Sequence, residues 1–150
     1  MRIVNLGIDD QGRSCVVQER EVETAEAVPG VAMMSLFHTE VSPPPRAPAG
    51  QGIFNDMGMV PGTVNFMVVD IAPSSPDDPA VPNANQLHYN TTIELFCVIE
   101  GLMTSTLGDG TVVELHPGDC ISMPGVDHAT HAGPDGARVV CLSVGMAAAT

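Results

Sequence analysis

The feature that most constrains this chain is its punctuation from Glu94 onward, where short runs rich in Val, Ile, Leu, Met and Thr are closed at brief intervals by turn residues. The runs are ELFCVIEG, LMTSTL, TVVELHPGD, CISMPG and ARVVCLSVG. Between them stand Gly108-Asp109-Gly110, Pro117-Gly118-Asp119, Pro124-Gly125 and Gly133-Pro134-Asp135-Gly136. Such residues favour positive φ or pre-set turn geometry, and no run sustains the 3.6-residue period of an amphipathic helix. The pattern therefore predicts an all-β sandwich or barrel with few helices.

The first half is less regular. Apolar runs at Ser14 to Gln18, Val31 to His38 and Val64 to Ile71 read as strands, separated by two loops, Val41 to Gly50 and Ala72 to Asn85, with four prolines each. Proline cannot donate to a sheet ladder, so both loops are expected at the rim of a site rather than inside the sheet. The polar stretch QEREVETAE, Gln18 to Glu26, reads as a helix or a solvated loop. A length of 150 residues fits one domain, 1–150, with a core of its own. With 3% aromatic residues and no Trp, that core must be built from aliphatic side chains and Met.

Charge removes several functions. The formal net charge is -13, from 18 acids against five bases, and all five bases are Arg. A chain without Lys forms no Schiff base and has no phosphate-loop lysine, and so acidic a surface repels nucleic acid and anionic membrane. The expected partners are a small molecule and a second copy of the chain. No apolar stretch approaches the ~20 residues that span a bilayer, and the N-terminus lacks a basic flank before an apolar run, so a cytoplasmic location is expected. Cys15, Cys97, Cys120 and Cys141 lack the close spacing of a zinc site and read as reduced thiols, the last three in apolar runs.

The chemistry concentrates in three residues. His88, Asn90 and Glu94 share parity and so face one side of an extended strand. At ~3.3 Å per residue, however, a straight strand would hold His88 and Glu94 ~20 Å apart. A turn between Asn90 and Glu94 is required to bring them together, and Asn90-Thr91-Thr92 supplies weak turn formers there. His128, after the strand break at Pro124-Gly125, supplies a third donor. Two imidazoles and a carboxylate suit a divalent transition metal such as Fe, Mn, Zn or Ni and leave positions open for substrate.

These residues also carry a family resemblance. Residues 88–101, HYNTTIELFCVIEG, resemble the first cupin motif, His-x-His, three or four residues, Glu, six residues, Gly. Residues 118–128, GDCISMPGVDH, resemble the second, Gly, five residues, Pro, Gly and then His. The similarity spans residues 86–145. Asn90 stands where the family commonly has a second His, and Ala132 where an Asn often follows.

The resemblance implies a single cupin β-barrel, a jelly roll of two antiparallel sheets, with metal ligands His88, Glu94, His128 and Asn90. It further implies a homodimer in which residues 1–20 form an N-terminal arm. Glu94 and His38 are the candidate proton-transfer groups. Arg46 could clamp a substrate carboxylate, and Phe96 and Met123 could wall the pocket.

Three functions follow as expectations: lyase or isomerase chemistry on an oxygenated aromatic or polyketide-like substrate, an Fe(II) dioxygenase, or small-molecule binding without turnover. His131, three residues beyond His128, and His116, beside Pro117, are expected at the surface. Tyr89 is expected to pack away from the metal.

Overall fold

The computed structural model describes residues 1–23, 25–28, 31–33, 36–37, 52–54, 59–74 and 86–147 of the chain. Every regular element among them is a strand: β1 (Arg2–Ile8), β2 (Ser14–Glu21), β3 (Ala25–Val28), β4 (Val31–Met33), β5 (Ile53–Phe54), β6 (Val64–Ile71), β7 (His88–Tyr89), β8 (Thr92–Leu107), β9 (Val112–Leu115), β10 (Cys120–Pro124) and β11 (His128–Gly145). The all-β expectation is met. Gln18 to Glu26, read as a helix or a solvated loop, is mostly strand instead: β2 runs through Glu21 and β3 begins at Ala25. Glu19, Arg20 and Glu21 lie along a ribbon whose other strand, β1, is mostly apolar and buried, so the pairing partner overrides the local preference.

Nine strands form one sheet in the order β2-β1-β10-β8-β11-β7-β5, with β6 added to β11 and β9 to β8, while β3 and β4 pair separately. The N-terminal ribbon, expected as an arm reaching a partner, is seated on this chain's own sheet, with β1 parallel to β10. β8 and β11 form the spine of the fold, antiparallel from Thr92↔Gly145 to Leu107↔His128.

In that ladder Glu94 faces Ser143 and His128 faces Leu107, so the two functional candidates stand near opposite ends. Yet their side chains come within 3.8 Å of one another. The sheet must therefore curl back on itself, as a barrel requires.

The curl is built at the middle of the spine. The expected turn Gly133-Pro134-Asp135-Gly136 proves to be a bulge inside β11, where the register shifts between Ala132 and Ala137 opposite Gly101. Gly101 and Gly136 adopt φ of 76° and 79°. A Cβ on Gly101 would strike the Gly136 carbonyl oxygen, so a close backbone approach as well as a left-handed φ demands glycine there. The bulge also switches the inward parity of β8, from Glu94, Phe96 and Val98 to Met103, Ser105 and Leu107. Val4, Leu6, Val98, Met103, Leu115, Ile121 and Met123 belong to the aliphatic core inside the curl. Among the described residues no helix is long and apolar enough to cross a membrane.

Candidate metal centre

Three strand segments carry the candidate residues to the interior. β7 ends at Tyr89, the chain bends at Asn90 and Thr91, and β8 begins at Thr92, so the required turn is where the sequence places it. β7 pairs not with β8 but with the start of β11, where His88 stands directly opposite His128. The two imidazole rings lie 4.6 Å apart between centroids, tilted by 55°. Tyr89, of opposite parity, packs on Phe54 at 5.4 Å.

Each ring is anchored through one nitrogen. His88 Nδ1 is 3.2 Å from the Gln86 carbonyl oxygen, and His128 Nδ1 is 2.9 Å from that of Val126. A carbonyl only accepts, so both Nδ1 atoms carry the proton and both Nε2 atoms keep a lone pair in the neutral ring. Burial pushes both histidines below their ordinary pKa. For His88 the neighbouring His128 adds to the effect; for His128 the Val126 carbonyl opposes it. Backbone-anchored, neutral imidazoles with free Nε2 are what a metal ligand requires.

Glu94 is buried, and its pKa is raised by desolvation, against the lowering influence of Asn90 and His88. Asn90 Nδ2 donates to Glu94 Oε2 at 3.0 Å. The Asn90 amide oxygen accepts from both the Thr92 backbone N–H at 3.1 Å and the Thr92 hydroxyl. The N–H donor fixes which end of the amide is oxygen. Asn90 thus differs from its expected part as a fourth ligand: its oxygen is engaged by Thr92, and its nitrogen has no lone pair to give. It orients the Glu94 carboxylate instead.

Among the described residues no cation faces Glu94. Arg2 is paired with Glu19 and Asp119, Arg13 with Asp9, and Arg138 with Asp70 and Glu100. A buried carboxylate in this position either stays protonated or receives a positive partner. Two neutral imidazoles and a carboxylate oriented by a neighbouring amide fit a divalent ion in their donor chemistry. As they stand, no group of three or more His, Cys, Asp or Glu among the described residues is gathered tightly enough to hold one.

Of the other candidates, Met123 lies directly opposite Glu94 on the β8–β10 ladder and is fully buried, while Phe96, two residues along the same face, is half-buried against the core. His38 and Arg46 lie outside the described residues. His116 is exposed, as expected.

His131 is not: it is buried, and its Nδ1 has no hydrogen-bond partner among the described residues. Facing opposite to His128 does not mean facing water here, because both sides of β11 are covered over His128 to Ala132. Sequence reasoning also missed Ser143, directly across from Glu94, and Cys141, hydrogen-bonded to Ser143 at 3.3 Å. Their parity in ARVVCLSVG was the available signal. Burial raises the Cys141 pKa, with Glu94 adding to the shift.

Residues 67–145, more than half of the chain, match the family described as the cupin domain. The chain is a cupin. The match covers β8 to β11 with the Glu94 and His128 positions, and starts inside β6. No curated protein matches this cupin. Among solved structures it is similar to that of Fe(II) HppE in complex with substrate, at 20% identity and a TM-score of 0.42, over 65% of this chain. The cupin spans 62% of that protein's length.

Proposed function

We propose that this cupin is a metal-dependent enzyme acting on a small oxygenated molecule, with His88, Glu94 and His128 as the ligands of a divalent transition metal. The observation that supports this reading is the buried Glu94 carboxylate, oriented by Asn90 and faced by no Arg among the described residues, beside two imidazoles whose Nδ1 atoms are held by backbone carbonyls and whose Nε2 atoms keep their lone pairs. The bound ion would supply Lewis acidity toward a carbonyl or enolate oxygen, which favours dehydration, decarboxylation or isomerisation.

The chain's own groups do the remaining work. The Gln86 and Val126 carbonyls keep each ring in one tautomer. Asn90 holds one carboxylate oxygen of Glu94, and Met123 excludes water on that side. A carboxylate with a raised pKa is also suited to take a proton from substrate when it is freed from the ion. The aromatic or polyketide-like character of the substrate follows from the family resemblance, and the proton-transfer role of His38 from its place between an apolar run and the proline loop.

A second reading has its own support. Asn90 already satisfies one Glu94 oxygen, so a neutral, metal-free cluster is chemically consistent, and the barrel would then bind a ligand without turnover.

The two are separated by elemental analysis of protein purified without added metal and after exposure to Fe(II), Mn(II), Ni(II) or Zn(II). About one ion per chain is expected, with a loss of at least ~10-fold in affinity for His128→Ala. Equal metal content in both proteins removes His128 from the site and the enzymatic reading with it. Oxygen uptake by the Fe(II) form would move the assignment from lyase or isomerase to dioxygenase.

We further propose a homodimer through the outer face of β6, where Val64, Phe66 and Val68 are 63%, 73% and 60% exposed.

A further inference from the structure

Cys97 on β8 and Cys120 on β10 are direct partners in the antiparallel ladder. Both point away from the barrel interior and line a cavity of about 370 Å³ on the outer face, together with Ile3, Leu36, Phe66 and Leu142. Nothing in the proposed metal chemistry uses them.

The backbone hydrogen bonds define the kind of pair they form. Val98 N–H donates to the Asp119 carbonyl and Gly118 N–H to the Val98 carbonyl, at 3.0 and 2.8 Å. Position 98 is therefore the hydrogen-bonded site, and its neighbour Cys97 faces Cys120 in a non-hydrogen-bonded pair. Such pairs hold their Cα atoms ~4.5 Å apart, just inside the short limit of the range a disulfide spans.

We propose that Cys97 and Cys120 form a reversible disulfide across the β8–β10 ladder, with a low-molecular-weight disulfide as the oxidant class. Cys97 is half-buried and Cys120 buried, so the first attack falls to Cys97. Its thiolate displaces one thiol from the small disulfide and takes up the other half as a mixed disulfide. The Cys120 sulfur, losing its proton, then attacks Cys97 Sγ, the mixed disulfide breaks, and the second small thiol leaves. Two protein thiols have lost two protons and two electrons, and the small disulfide has gained them as two thiols.

Burial and the Cys97 thiol within hydrogen-bonding reach push Cys120 up to about 12, so it waits as a thiol until Cys97 has reacted. Cys97 lies on the cavity wall and is only half-buried, so the bond stays within reach of small thiols and is reducible, unlike an inert buried disulfide. The bond would staple the same two strands that carry the Glu94↔Met123 pair three ladder positions away.

The test uses the full chain, fully reduced and then incubated with oxidised glutathione, quenched in acid, denatured, alkylated and weighed. Wild type is expected to fall from four alkylatable cysteines to two, to lose the mass of two hydrogens, and to carry no glutathione. Digestion after Glu and Arg, which separates Cys120 from Cys141, should join the peptide bearing Cys97 to that bearing Cys120. Excess reduced glutathione should restore four. Cys120→Ala, confirmed as folded by its thermal melt, should instead accumulate a stable glutathione adduct on Cys97. Wild type that keeps four thiols, keeps glutathione on Cys97, or closes a bond through Cys15 or Cys141 overturns the proposal.

Discussion

Glu94 shows how one buried side chain can carry both a stability cost and a function. Burial raises its pKa above the ordinary value of 4.5, so its contribution to the metal-free fold is whole below that pH and is lost as pH rises through the folded value. The two histidines have the opposite sign: their lowered pKa values contribute stability above the ordinary 6.5 that is lost as pH falls. Glu94→Gln keeps the acceptor for Asn90, cannot ionise, and leaves both histidines in place. In chelator-treated protein the melting temperature of Glu94→Gln minus that of wild type should therefore be near zero at pH 4.5 and grow as pH rises. The same variant should lose metal. A difference that stays flat with pH would mean that Glu94 ionises in the fold without penalty. At this scale the sequence was legible for the convergence of His88, Glu94 and His128 and for the turn at Asn90, because parity and spacing demanded the turn. It was not legible for the part Asn90 takes, which depends on Thr92 claiming its oxygen, or for His131, whose burial depends on what covers the outer side of β11.

Among the elements, the β8–β11 spine matters most, because its bend decides whether Glu94 and His128 meet. Glycine at 101 allows the left-handed φ and the approach to the Gly136 carbonyl. Gly101→Ala should cost about 2–3 kcal/mol and lower the melting temperature by roughly 5–10 °C, and it should weaken metal binding because the curl that joins the two ends is altered. A melt within a degree of wild type would show that the bulge can move to accommodate a side chain. The strands β6, β9 and β10 were readable from apolar runs bounded by turn residues. Their linkage was less so: ELFCVIEG and LMTSTL are one strand, and the Gly-Pro-Asp-Gly segment is a bulge rather than a hairpin end. Both errors have one cause. Gly and Pro mark a departure from regular backbone, but only the partner strand determines whether that departure is a turn or a bulge. For the same reason the polar stretch Gln18 to Glu26 reads as helix or loop on its own, and only β1 makes part of it a strand.

For the molecule as a whole, a net charge of -13 and an apolar outer face act against one another. Two copies repel at long range, so they can associate only where charge is sparse, and β6 offers Val64, Phe66 and Val68 side by side on an exposed face. Arg138 with Asp70 and Glu100 closes that face at one end with paired charges and leaves the apolar strip beyond them. Dimerisation there should tighten severalfold as ionic strength rises from roughly 0.01 M to 1 M, because the Debye length shortens from ~30 Å to ~3 Å while apolar burial is left intact. Phe66→Asp should abolish it at every salt concentration without changing metal content, since the side chain is 73% exposed and points away from the interior. Sedimentation velocity on both proteins across that range distinguishes the outcomes. A wild type that stays monomeric in high salt, or a Phe66→Asp dimer as tight as wild type, would leave the β6 face without a role in self-association.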